Sequence, residues 1–132
     1  MKNGCGDVLK ESILRSKSYA FSVRIVRLSQ FLTTEQREFV LSKQVLRSGT
    51  AIGALVHEAE FGQSKPDFRS KMSIALKEAN ETQYWLTLLR ETDYINEKMF
   101  ESVSNDCVEL IKMLVATVKT SKKSELEDRD TK

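Results

Sequence analysis

The amino-acid sequence predicts an all-α fold, an antiparallel up-down-up-down four-helix bundle. Three observations carry that prediction. Apolar residues recur at alternating spacings of four and three through four separate stretches, the period of a helix that buries one stripe. The connections between the stretches are too short to cross a bundle, so neighbours must run antiparallel. The 132 residues include only one Pro and five Gly, with 40% apolar and 30% charged side chains, which suits a soluble helical domain and excludes collagenous, mucin-like or wholly disordered chains.

Helix one is expected over about 10–32, where Leu14, Ser18, Phe21, Ile25, Leu28 and Leu32 form the seam. Thr33 to Gln36 has the spacing of a capping box, so helix two is placed from 34 to 61. Its seam is Leu41, Val45, Ser48, Ile52, Leu55 and Ala59, and Gly62 is the residue that stops it. Ser64 then caps a third helix over 65–92, with Pro66 in the first turn, where a missing N–H is harmless, and Asp67 at the positive end of the dipole. Phe68, Met72, Ala75, Ala79, Thr82, Leu86 and Leu89 are its seam. Asn96 caps helix four, over 97–120, whose apolar face runs from Met99 to Val118. Residues 1–121 thus make one domain, and 122–132, with almost nothing to bury, are expected to be a disordered charged tail.

The N-terminus shows one lysine and no apolar stretch behind it, so no secretory leader is expected. No apolar run approaches the roughly 18 residues that span a bilayer. Cys5 and Cys107 fit neither a metal motif nor a disulfide framework, and both are read as reduced thiols in the cytoplasm.

The runs QVLRSGTAIGA (Gln44–Ala54) and SIALKEANETQYWL (Ser73–Leu86), with Ser64 to Phe68 and Lys17 to Leu32, carry a resemblance. The chain resembles the four-helix-bundle family first described from open reading frames in intervening sequences of bacterial 23S ribosomal RNA genes. The resemblance implies a small cytosolic bacterial protein, a homopentameric ring of bundles, no established enzymatic activity and an association with ribosomal RNA suggested by gene location. The chain departs from the family at Leu55, where Asn is usual, at Ala51, often Ser, and at His57, often a small residue, while Glu58 is retained.

Gly49 and Gly53 lie one turn apart in a long helix, each at a cost of about 1 kcal/mol relative to Ala. Either they form a notch for a closely packed helix, the favoured reading, or they leave space for a ligand beside the backbone. Arg47, Glu58, Glu78 and Glu81 interrupt otherwise apolar stretches and are read as a structural polar network in which Arg47 pairs with one or more of the carboxylates. The competing reading, a di-metal site, wants two Glu-x-x-His pairs, and the chain has one histidine, His57. A lone His57 without a nucleophile elbow makes no triad, so neither catalytic residues, metal nor cofactor is assigned and the protein is not read as an enzyme. Ile74, Leu76, Trp85 and Leu88 widen the apolar arc of helix three beyond one seam, which points to a subunit interface.

The net charge of +2 conceals a polarised chain. Residues 1–50 carry nine basic and four acidic side chains, 51–109 six and eleven, and 110–132 six and four. An antiparallel bundle brings Lys10, Arg15 and Lys17 near Lys112, Lys119, Lys122 and Lys123. Two readings stand for that end: a phosphate-binding patch for RNA or a nucleoprotein, or a solvated basic end complementing the last helix dipole. A protein-protein interaction scaffold without nucleic-acid binding is the alternative function.

Overall fold

The computed structural model describes residues 2–62 and 64–130, with side chains from 13 to 129. Four helices account for nearly all of it: α1 (Lys2–Thr34), α2 (Val40–Glu60), α3 (Lys65–Glu91) and α4 (Glu97–Asp130). Among the described residues there is no strand. The fold is all-α, as the periodicity implied.

Seam residues from all four helices meet in one core. Phe21, Ile25 and Leu32 of α1 pack with Val45, Ile52 and Val56 of α2, Met72, Leu86 and Leu89 of α3, and Leu110 and Leu114 of α4. Buried hydroxyls in this core are paired: Ser29 with Ser42 at 2.9 Å, Ser48 with Thr82 at 2.8 Å, and Ser104 with the Gln83 amide at 2.7 Å. Cys107 donates its S–H to the Ala79 carbonyl at 3.3 Å, and burial pushes its thiol pKa up to about 12.

Contacts follow a ladder in which one residue number falls as the other rises: Arg15 with Glu60, Ile25 beside Gly49, and Ser29 with Ser42 between α1 and α2. Between α1 and α4 the ladder is Lys17 with Glu109 and Arg24 with Ser102 and Asp106. These α1–α4 contacts are long polar side chains, and the two helices meet more sparsely than the other neighbours.

The helix boundaries depart from the sequence reading in two places. Thr33 does not cap α2. Its hydroxyl turns back to the Ser29 and Gln30 carbonyls, Gln36 donates to the Tyr94 carbonyl at 2.8 Å, and α1 continues to Thr34. The first amides of α2 are instead taken by the buried Glu38 carboxylate, which accepts from the N–H groups of Val40, Leu41 and Ser42 at 3.2, 3.0 and 2.8 Å. The chain reaches that position through Arg37, in the left-handed region at φ 55°; Asp93 does the same at φ 66° after α3.

The second departure is the tail. Residues expected to be disordered from 122 onward continue α4 to Asp130. Arg69 donates to Glu125 at 2.7 Å, and Lys65 pairs with Asp128, so the first turns of α3 hold the extension by charge where it lacks apolar residues to bury. Thr131 and Lys132 lie outside the described residues. Ser64 and Asn96 cap α3 and α4 as their residue types suggested, accepting from Asp67 and Met99 amides at 3.2 and 2.8 Å. Gly62 follows the end of α2 with a negative φ, and a Cβ there would lie 2.5 Å from the Asp67 carboxylate.

Candidate functional site

The seven basic positions singled out in the sequence separate into two groups. Arg15 is paired with Glu60, and Lys17 with Glu109 at 3.1 Å, so neither offers a free cation. Glu60 makes that pair with one oxygen; its other oxygen is buried without a partner among the described residues. Lys10 lies outside the residues whose side chains are described. Lys112, Lys119, Lys122 and Lys123 are all exposed, and none has an ion-pair partner among the described residues.

Those four lysines share one face of α4. Positions 112, 119 and 123 repeat at seven and four, 122 lies beside them, and the line spans about 16 Å at 1.5 Å per residue. By the same spacing Val108 and Leu126 continue the face at either end, both exposed, and no carboxylate falls between them on it. Glu125, the nearest acid in sequence, points to α3 and is held below the usual carboxylate range by its hydrogen bond from Arg69.

A second polar cluster lies where α2 meets α3. Arg47 donates to both Glu78 oxygens at 3.2 and 3.3 Å and to Glu81, while Trp85 Nε1 donates to the same Glu81 carboxylate at 3.0 Å. The Trp85 hydrogen bond, followed by the one from Arg47, holds Glu81 below the usual carboxylate range, and the Glu81 bond raises Arg47 further above its ordinary value. Glu58 is not part of this cluster. It faces Lys71 at 3.7 Å, because its position near the end of α2 matches the start of α3, not the middle.

The glycine pair faces α1. A Cβ on Gly49 would lie 2.7 and 2.8 Å from two Ile25 carbons, and one on Gly53 2.9 Å from Ser22 Oγ and 3.1 Å from the Ser18 carbonyl. The space beside both glycines is filled by a helix. His57 is exposed and sits against the Phe61 ring, centroids 5.1 Å apart.

Of the four apolar residues expected at a subunit interface, Ile74 is exposed, whereas Leu76 and Trp85 pack against the chain's own core and Leu88 is half-buried. Sequence reasoning missed a longer exposed line on α1, Tyr19, Val23 and Val26, of which Tyr19 is 71% exposed. Its four-and-three spacing is a usable signal, hidden beside the stronger core seam. Glu38 was missed as well, since no Ser-x-x-Glu pattern marks it.

Residues 10–116 match the family model of the 23S rRNA-intervening sequence protein. The chain belongs to this family. A crystal structure described as a protein with unknown function from the S23 ribosomal protein family, from Bacteroides thetaiotaomicron VPI-5482, is 55% identical, superposes with a TM-score of 0.82, and covers 83% of this chain and 98% of its own. No curated protein matches. In this member of the 23S rRNA-intervening sequence family, three of the four free lysines of α4 stand beyond residue 116, outside the matched span. Among the described residues no helix is long and apolar enough to cross a membrane.

Proposed function

We propose that this protein is a non-enzymatic, cytoplasmic, self-associating up-down-up-down bundle that engages RNA or a nucleoprotein through the lysine face of α4. The observation that carries this reading is the set of four unpaired lysines on one helix face without an intervening acid. Lysines already neutralised, such as Lys17, have less to gain from a phosphate; unpaired ones release condensed counterions from RNA when they bind. The contact ladders between neighbouring helices support the up-down order, and the exposed α1 line supports coverage by a second copy, five in a ring on the family resemblance.

The test is RNA binding by fluorescence anisotropy across a salt series, on protein whose oligomeric mass is measured by light scattering. Four phosphate contacts give a slope of log affinity on log salt of about −3, and Lys119→Glu, Lys122→Glu and Lys123→Glu together remove most of it. Absence of binding at low salt, or affinity indifferent to the triple change, refutes the RNA reading. In that case the α1 line favours a protein-interaction scaffold, and partners retained from nuclease-treated lysate would identify it.

A further inference from the structure

The core seam of α4 changes character along its length. Val103, Cys107, Leu110 and Leu114 are buried, and the same four-three series continues as Thr117, Ser121 and Ser124. A seam that buries hydroxyls without partners is unfavourable by roughly 1–3 kcal/mol per group, so these positions fit a space that stays polar. Such a space exists. A cavity of about 730 Å³, open to solvent, lies between the end of α2, the start of α3 and the extension of α4, within the size range of small-molecule sites.

Its wall has three chemical zones. Ala59, Phe68, Met113 and Ala116 make an apolar floor. The α4 seam hydroxyls make a polar side, and Ser121 has no hydrogen-bond partner among the described residues, while Thr117 donates to the Met113 carbonyl at 2.9 Å and keeps its lone pairs. Lys112 and Lys65 supply cations; Lys65 is paired with Asp128 and Lys112 is unpaired. Glu60, also in the wall, pairs with Arg15 through one oxygen and has the other buried without a partner among the described residues, so the two lysines and one carboxylate give the lining a formal charge of +1.

We propose that this cavity binds a nucleoside phosphate, with the base on the apolar floor, the ribose along the hydroxyls and the phosphate at Lys112. A simple alkyl anion would leave the hydroxyl row without partners, and a bare phosphate would leave the floor unused. The site shares Lys112 with the lysine face of the proposed function but does not use Lys119, Lys122 or Lys123. Its ligand is either a free mononucleotide or the phosphorylated end of an RNA.

Calorimetric titration with AMP, adenosine and inorganic phosphate tests the site on the full chain. AMP is expected to bind, adenosine at least tenfold more weakly, and Lys112→Glu to weaken AMP at least tenfold. The double change Thr117→Leu with Ser121→Leu completes an apolar seam, so it should abolish AMP binding while raising the melting temperature. That result separates loss of the site from loss of the fold. An RNA oligomer with a 5′-phosphate, compared with its 5′-hydroxyl counterpart, assigns the source: a preference for the phosphorylated end that disappears in the leucine variant marks an RNA end, and no preference marks a free nucleotide. No AMP binding at millimolar concentration, equal binding of adenosine, or AMP affinity unchanged in the leucine variant overturns the proposal. RNA binding that depends on Lys119, Lys122 and Lys123 would survive such a failure, and AMP binding would survive the loss of RNA affinity.

Discussion

The junction of α1 with α2 and the passage of α4 over the start of α3 use one repeat to opposite ends. At the first, the four-three seam is closed until two glycines are needed to admit Ile25 and the Ser18–Ser22 turn. At the second, the seam runs out in hydroxyls and the helices are joined by Arg69–Glu125 and Lys65–Asp128. Spacing alone places a helix against its neighbour; the residue class at the seam decides whether the contact is dry and exact or open and wet.

The largest effect should come from the closed junction. Gly49→Ala adds a methyl within 2.8 Å of a buried, β-branched Ile25. Overpacking of about 1–3 kcal/mol should outweigh the ~1 kcal/mol that alanine contributes to helix propensity. Urea unfolding is the measurement, with Ile25→Ala as the partner in a double-mutant cycle. A gain in stability, as at an open helix position, would break the contrast.

At the open end the same kind of change should be nearly silent globally. Arg69→Ala removes a partly exposed ion pair, which screening by solvent makes a minor contributor to global stability. Its effect should appear as faster amide exchange in residues 117–130 with the core unaltered. Uniform loss of protection would mean that the extension is as integral as the core.

The Arg47 cluster should give the smallest effect. Glu81 is held below its ordinary carboxyl pKa, so its contribution is complete above the unfolded-state value and lost as pH falls through the lower folded-state one. Partial exposure keeps that contribution under about 1 kcal/mol. Trp85→Phe removes the N–H together with the five-membered ring, so the pH-dependent part of its destabilisation should be present at pH 7 and vanish once Glu81 is protonated in both states, leaving only the packing part. A deficit that persists unchanged in acid would assign the loss to packing.

Legibility in the sequence followed the range of the interaction. Ser64 and Asn96 accept from amides within one turn and Pro66 fixes its own backbone in the first turn, and their residue types announce the starts of α3 and α4. The end of α1 was misplaced because Arg37, not glycine, takes the left-handed position, and because the carboxylate of Glu38 caps α2 in place of the Thr33 hydroxyl. The charges of the basic end were visible, but their neutralisation was not: the acids that take Arg15 and Lys17 come from α2 and α4. The continued helix beyond 122 depends on partners in α3, which composition cannot report.

The bond from Gln36 to the Tyr94 carbonyl ties the α1–α2 connection to the α3–α4 connection. Taken as a pivot, that tie defines a lever arm. From Glu97, next to that tie, to Ser121 in the cavity wall is about 36 Å of rigid helix. A tilt of about 3° at the pivot therefore displaces the wall by about 2 Å over that span. The sparse polar contacts between α1 and α4 would oppose such a tilt less than the α3–α4 packing and the Arg69–Glu125 and Lys65–Asp128 pairs, so those two pairs are what fix the width of the cavity.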